Sequence, residues 1–426
     1  MNKMRLKDIC LITSSKRIFE KEYVSEGIPF IRGQEITDRS LLKSNIKFEC
    51  YISKKRFEEI KEKYIIPKKH DILITAVGTI GNVCYLDKDV EFYFKDGNIL
   101  HLTNFNEKIY PLYLYYYMKS DFFHKQINVS MIGAVQKALT IKMLSDILIE
   151  IPSLNEQKKI ATILSVIDKK IELNNKINDE LEAMAKTIYD YWFLQFEFPN
   201  EEGKPYKSSG GKMVWNEELK REIPEGWEVV TLEDFGSLGN GINYDKKISG
   251  DKEYKIVNVK NISDTTLLLN KEKLDRIYLP PELADKYRID TNDIIIARSG
   301  IPGAIRVLKL DHIENIIYCG FIICLRLDDK LYKNYLVYKL KDYENTKATT
   351  SGGTVMQNVN QQTLRQIKFP VPNRATIKIF NKKIDRIWNC IQKNINENQE
   401  LTSLRDFLLP LLMNGQVGFK EDKAEG

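Results

Sequence analysis

This 426-residue chain is poor in the residues from which metal and redox sites are built, and it spaces badly those it has. The four histidines, His70, His101, His124 and His312, show no metal-ligand spacing. The six cysteines (Cys10, Cys50, Cys84, Cys319, Cys324 and Cys390) form no Cys-x-x-Cys pair. That excludes a zinc ribbon or dithiol motif and fits reduced, mostly buried thiols in the cytoplasm. No apolar run approaches the ~18 residues that span a bilayer, and Met1–Lys7 has no apolar signal core, so no membrane partner is expected.

Recognisable catalytic motifs are also missing. No glycine-rich loop ends in Gly-Lys followed by Ser or Thr, which argues against ATP binding. Gly236–Gly241 is glycine-rich but lies outside a strand-to-helix context. An amino-methyltransferase needs an amide and an aromatic ring around a Pro-Pro pair to hold a flipped base. Leu279-Pro280-Pro281-Glu282 has neither. No paired-carboxylate and lysine set of a nuclease is apparent. These absences point to a binding protein with no cofactor of its own.

What is present is a duplication. Ile160, Leu164, Ile167, Ile171, Asn174, Asn178, Leu181, Ala185, Ile188 and Trp192 match, 220 residues later, Phe380, Ile384, Ile387, Ile391, Asn394, Asn398, Leu401, Arg405, Leu408 and Leu412. Ala185 against Arg405 is a true mismatch. Upstream, Leu144, Ile147 and Pro152 match Leu364, Ile367 and Pro372, Asp71–Gly81 matches Asp293–Gly303, and Leu6–Ile9 resembles Leu232–Phe235. Each copy is a variable globular part followed by a similar helical part.

The matched positions alternate three and four apart, a heptad seam that calls for a partner helix. Ser153–Glu156 reads as a capping box and Asn373 as the second N-cap. Phe198-Pro199 stops the first helix, Gly415 stops the second, and Pro410 should distort its last turns. Asn174, Asn178, Asn394 and Asn398 are polar seam positions that fix register. Antiparallel pairing about a pseudo-twofold axis would place Asn174 beside Asn398 and Asn178 beside Asn394. Parallel pairing would place Asn174 beside Asn394.

The domain reading is 1–152 globular, 153–198 helical, 199–372 connector and second globular part, and 373–426 helical. The fold class is α+β: two mixed α/β domains joined by two long helices in an antiparallel coiled coil. Asp71–Thr75 and Asp293–Ala297 read as buried strands that run into glycine turns, and Lys54–Lys63, Tyr113–Met118 and Leu331–Leu340 as helices. The net charge of +6 is compatible with a nucleic-acid partner.

Several segments together resemble the specificity subunit of type I restriction–modification enzymes. They are Ile151–Leu164 with Ile167–Ile171, the connector Ser209–Met213 with Ile223–Glu228, and the closing Leu411–Val417. Gly133–Gln136 and Gly353–Gln357 are similar to the end of a target-recognition domain in that family. The second copy carries Asn373-Arg-Ala-Thr376 where the first has Ser153-Leu-Asn-Glu156.

The resemblance implies that each globular part reads half of a split site in double-stranded DNA. The helices would set the gap and dock two methyltransferase subunits, which bring S-adenosylmethionine and methylate adenine. A motor–nuclease subunit would join for restriction. The chain itself would be non-catalytic. Base reading needs Arg, Lys, Asn and Gln in loops near the glycine turns. The residues of that kind are Arg32, Gln34, Lys95 and Lys137 in the first part, and Lys246, Lys247, Lys260, Arg298 and Asn358 in the second. Arg298 stands apart because it interrupts an apolar run beside Gly300. The alternatives are a specificity subunit of a methylation-only system and a coiled-coil scaffold without DNA reading. Only the scaffold would lack salt-sensitive DNA binding.

Overall fold

A computed structural model describes residues 2–132, 138–244, 250–262, 266–309, 314–350 and 359–417. The chain divides into two compact units. One is Met1–Lys176 with Asn396–Gly426, and the other is Ile177–Ile395. The long helices, Leu154–Tyr189 and Arg374–Met413, each contribute to both units.

The helix starts follow from their caps. Ser153 Oγ accepts from the Glu156 amide at 3.4 Å, while the Glu156 carboxylate accepts from the Ser153 amide at 3.0 Å. Asn373 Oδ1 accepts from the Thr376 amide at 2.9 Å, without a reciprocal acid. The first helix passes into a π-helical turn, Asp190–Leu194, and Phe196 turns the chain away at φ +64°. The second helix runs through Pro410 to Met413, and Gly415 follows at φ +66°.

In the first unit, Asn174 Nδ2 donates to Asn398 Oδ1 at 2.9 Å, and Arg405 meets Asp168 at 3.0 Å. In the second, Asn394 Nδ2 donates to Asn178 Oδ1 at 2.8 Å, and the Tyr189 and Phe380 rings lie 6.5 Å apart. In each unit one residue number rises as its partner's falls. The helices are therefore antiparallel, in the register expected from the seam.

The mismatch between Ala185 and Arg405 now has a cause. Arg405 and Tyr116 both bond to the carboxylate of Asp168, at 3.0 and 3.1 Å, and Asp168 is only 4% exposed. Lys119 lies 3.5 Å from the same carboxylate. In the second unit the seam equivalent of Asp168 is the buried Trp388, whose indole N–H donates to Tyr338 at 2.9 Å. Ala185, the counterpart of Arg405, is fully buried there. A charged layer in one unit is an aromatic layer in the other. A second difference arises at Gln157. Its side chain accepts from the Tyr110 amide and donates to the carbonyls of Lys108 and Pro152, whereas Ile377, 220 positions on, is simply buried.

The globular parts share a topology. In the first unit an antiparallel sheet runs Leu11–Thr13, Ile99–Thr103, Ile72–Thr75, Val83–Tyr85. In the second it runs Gly236–Asn240, Ile322–Leu327, Asp293–Ala297, Ile305–Arg306. Beside it, Ile28–Ile31 pairs antiparallel with Tyr51–Ile52 and parallel with Tyr93–Phe94. Lys252–Val257 likewise pairs antiparallel with Asp275–Leu279 and parallel with Ile316–Tyr318. Asn2–Arg5 closes on Leu148–Ile151, and Glu228–Thr231 on Lys368–Val371. Each central strand follows or begins with a buried acid. Asp71 is bonded to His101 at 2.7 Å, and Asp293 to Arg326 at 2.7 Å. Helices Lys54–Lys61, Pro111–Met118 and Lys333–Thr350 complete the expected set.

Glu182, on the first long helix within the second unit, accepts from the Leu267 amide at 2.9 Å, and burial pushes its carboxyl up to about 7. The raised value means that the folded unit holds a proton the unfolded chain has released. Glu182 therefore favours folding most below about 4.5, its unperturbed value, and that contribution is lost as pH rises to about 7. Glu182→Gln should flatten the pH dependence of the second unit's denaturation midpoint between those values, and identical profiles would contradict this. In the first unit, Arg405→Ala leaves Asp168 with Lys119 and the Tyr116 hydroxyl. The expected cost lies at the low end of the roughly 3–5 kcal/mol for breaking a buried pair, read from urea denaturation. A second change, Asp168→Leu, should recover part of it.

Candidate nucleic-acid interface

Each buried central strand ends in the same turn. Gly78 and Gly81 have φ of +76° and +93°, and Gly300 and Gly303 have +80° and +89°. L residues avoid this region, so both copies need glycine twice. The turn closes when the Gly81 amide donates to the Thr75 carbonyl at 2.9 Å, and the Gly303 amide to the Ala297 carbonyl at 2.8 Å.

Three further segments meet the turn. The first is the start of the helix after the strand that pairs on both sides, Gly33–Ser40 in one unit and Val259–Ile262 in the other. Thr37 and Thr79 hydroxyls lie 2.9 Å apart, and a Cβ on Gly300 would fall 2.6 Å from Val259 Cγ1. The Arg32 amide donates to Glu35 at 2.9 Å, and the Asn258 amide to Asn261 at 2.8 Å, so Gln34 and Lys260 occupy equivalent places. The second segment is the bend that ends in Asn98 or Phe321. The Ala76 amide donates to the Asn98 carbonyl at 2.7 Å, and the Arg298 amide to the Phe321 carbonyl at 2.9 Å. The third arrives from downstream. The Leu139 amide donates to the Ala76 carbonyl at 2.8 Å, and the Val359 amide to the Arg298 carbonyl at 3.0 Å.

The structure brings several expected residues to this place. Arg32 heads the helix, Gln34 lies in its first turn, and the Lys95 amide donates to the Ile31 carbonyl at 2.9 Å. Lys260 and Arg298 gather similarly in the second unit. Their side chains differ in availability. Arg32 bonds to Glu49 at 2.6 Å, which holds its guanidinium above its ordinary pKa, and it also reaches Glu35. Gln34 donates to Asp38 at 3.0 Å. Lys260 meets Asp275 at 2.7 Å and holds that carboxyl below the usual range. Among the described residues, the side chains of Lys95 and Arg298 have no hydrogen bond or ion pair. Lys137, Lys246, Lys247 and Asn358, with Gly133–Gln136 and Gly353–Gln357, lie outside the described residues. The four register asparagines lie in the helix seam and not at this site.

Sequence reasoning missed Asn98 and Phe321. The repeat offers a signal for them, because Gly97-Asn98-Ile99 and Gly320-Phe321-Ile322 occupy matching places before a buried strand. Chemically, the site offers amides, hydroxyls and cations over an exposed glycine turn. Among the described residues, no group of three or more His, Cys, Asp or Glu side chains is placed to hold a metal ion, and no helix is long and apolar enough to cross a membrane.

The family model for the type I restriction modification DNA specificity domain matches residues 1–183 and 224–403. The chain is 27% identical over 410 residues to the type I restriction enzyme MjaIX specificity subunit of Methanocaldococcus jannaschii, covering 94% of this chain and 89% of that one. It is 24% identical over 408 residues to the HindI specificity subunit of Haemophilus influenzae, covering 82% and 87%. The crystal structure of a type I restriction–modification S subunit from M. genitalium shares the fold, with a TM-score of 0.52 at 16% identity over 96% of this chain and 95% of that one.

The two outer glycines should respond differently to alanine. Gly78→Ala meets no atom within 4 Å and should cost only the left-handed backbone penalty, about 1–2 kcal/mol. Gly300→Ala adds a clash with the stiff Val259 and should lower the melting temperature further. Equal shifts in calorimetry would contradict the crowding at Gly300.

Proposed function

Because the chain belongs to the type I restriction–modification DNA specificity domain family, we propose that it reads a bipartite, asymmetric site in double-stranded DNA as the specificity subunit of a type I complex. One observation carries this reading: a single backbone site is built twice with different side chains. Where the first unit has Ala76 with Asn98, the second has Arg298 with Phe321. A shared frame with unlike side chains suits two different half-sites. The gap between them is then a property of the helices that contribute to both units.

The methylating partners would dock on the long helices. Once the seam is filled, apolar side chains remain exposed along them. They include Ile163, Val166, Leu173, Leu404 and Phe407 in the first unit, and Ile177, Met184 and Ile379 in the second. An apolar stripe in each unit suits one methyltransferase subunit each, two in all. S-adenosylmethionine belongs to those subunits, adenine is the base methylated, and a motor–nuclease subunit completes the restriction complex. The specificity chain supplies no reacting group.

The deciding experiment maps adenine methylation in a host that expresses the chain with its methyltransferase. A split motif is expected, and exchanging residues 199–372 should change one half only. Absence of a motif, or changes in both halves, contradicts the reading. Binding should weaken by orders of magnitude between ~50 and ~200 mM salt if about six or more phosphates are contacted; salt-independent binding, or none, would favour a scaffold. Methylation by the purified chain alone would show a hidden active site.

A further inference from the structure

Arg298 and Phe321 stand directly opposite each other at the end of a strand pair. Ala297 pairs with Ile322 in the antiparallel ladder, and the next step is the bond from the Arg298 amide to the Phe321 carbonyl. Residues facing each other across an antiparallel pair place their side chains on the same side. The guanidinium and the ring therefore share a face, beside the exposed Gly300 and Ile301.

The fold needs neither side chain. Ala76 makes the same two backbone bonds as Arg298 with only a methyl group, and Asn98 fills the place of Phe321. Phe321 is 60% exposed, so its ring gains little from the core. Arg298 is half-buried with no carboxylate beside it among the described residues. A large exposed ring next to a cation that has no partner among the described residues, on a frame that works without either, is a pair shaped for a ligand.

Building on the function proposed above, we infer that Arg298 and Phe321 form the base-reading pair of the second unit. The planar guanidinium matches the two acceptors of guanine, O6 and N7, in the major groove. The ring beside it offers apolar contact to the 5-methyl group of a neighbouring thymine. The two together read a guanine–thymine step. At the matching position the first unit offers the Asn98 amide, whose donor and acceptor fit adenine N7 and N6. The position thus specifies a different base in each half-site.

The test uses the full chain in complex with its methyltransferase, with Arg298→Lys, Phe321→Ala and the double change Arg298→Ala/Phe321→Asn. Lysine keeps the charge and loses the two-pronged geometry. Arg298→Lys should reduce discrimination for one guanine by roughly 5- to 150-fold, with the salt dependence of binding unchanged. For the wild type, replacing the neighbouring thymine by uracil should weaken binding about fourfold, the value of one buried methyl. For Phe321→Ala the same replacement should have no effect. The double variant should lose the step from the second half-site while the first half-site stays intact in the methylation map. An unchanged thermal unfolding profile reports that the second unit of the variant is folded.

The inference is overturned if Arg298→Lys leaves the second word unchanged, if uracil weakens wild type and Phe321→Ala equally, or if either variant alters the first half-site. A wild-type map with no split motif defeats the proposed function, and this inference with it. A split motif that survives all three variants defeats this inference alone.

Discussion

Buried side-chain amides must find partners at their own level, and the rest of this structure depends on that constraint. A helix with an apolar stripe can slide by a heptad along its partner at little cost in packing. A carboxamide in the stripe cannot, because an unmade buried hydrogen bond costs about 1–3 kcal/mol. Asn174 with Asn398 pins the first unit, and Asn178 with Asn394 pins the second. With the register fixed, Asn175 also ties the helix to the globular part, its amide donating to the Leu42 carbonyl at 2.8 Å.

The asparagine layers are symmetric between the copies and so cannot choose which helix pairs with which. The neighbouring layer can. In the observed register Asp168 faces Arg405. If two first-copy helices paired in that register, Asp168 would face Ala185, and if two second-copy helices paired, Arg405 would face Trp388. Either arrangement breaks the buried pair: the first leaves Asp168 to Lys119, the second leaves Arg405 to the exposed Asp406, and the loss costs roughly 3 kcal/mol. The mismatch that weakened the repeat in sequence is the feature that makes each copy prefer the other. A charge cluster in one unit and an aromatic cluster in the other also let the two globular parts attach differently to a common pair of helices.

Much of this was legible because it rests on periodicity. The heptad spacing, the caps at Ser153 and Asn373, the asparagine partners and the two buried strands with their glycine turns are local or repeat-borne signals. The site was less legible because availability depends on the fold. Arg32 and Lys260 look as free as Arg298 in the sequence, yet carboxylates 17 and 15 residues away engage them, Glu49 and Asp275. Phe321 gives no sign of exposure in the sequence, where it directly precedes the apolar run Ile322-Ile323-Cys324-Leu325. Only the strand pairing shows it as an exposed neighbour of Arg298.

The separation between frame and side chain explains how one architecture can hold two unlike readers. The turn depends on glycines, on backbone bonds at 76 and 298, and on a buried acid below each strand. None of these requires a particular side chain at the cross-strand pair. Ala76 with Asn98 and Arg298 with Phe321 are two solutions within one chain, each placed on a fully hydrogen-bonded frame. A change at Asn98, Arg298 or Phe321 therefore alters what the surface offers without exposing a buried donor or opening a cavity, whereas a change at the fully buried Ala76, or at Gly300 or Asp293, strikes the frame itself. Recognition can vary at such a site because stability has been placed elsewhere, in the strands beneath and in the helix seam.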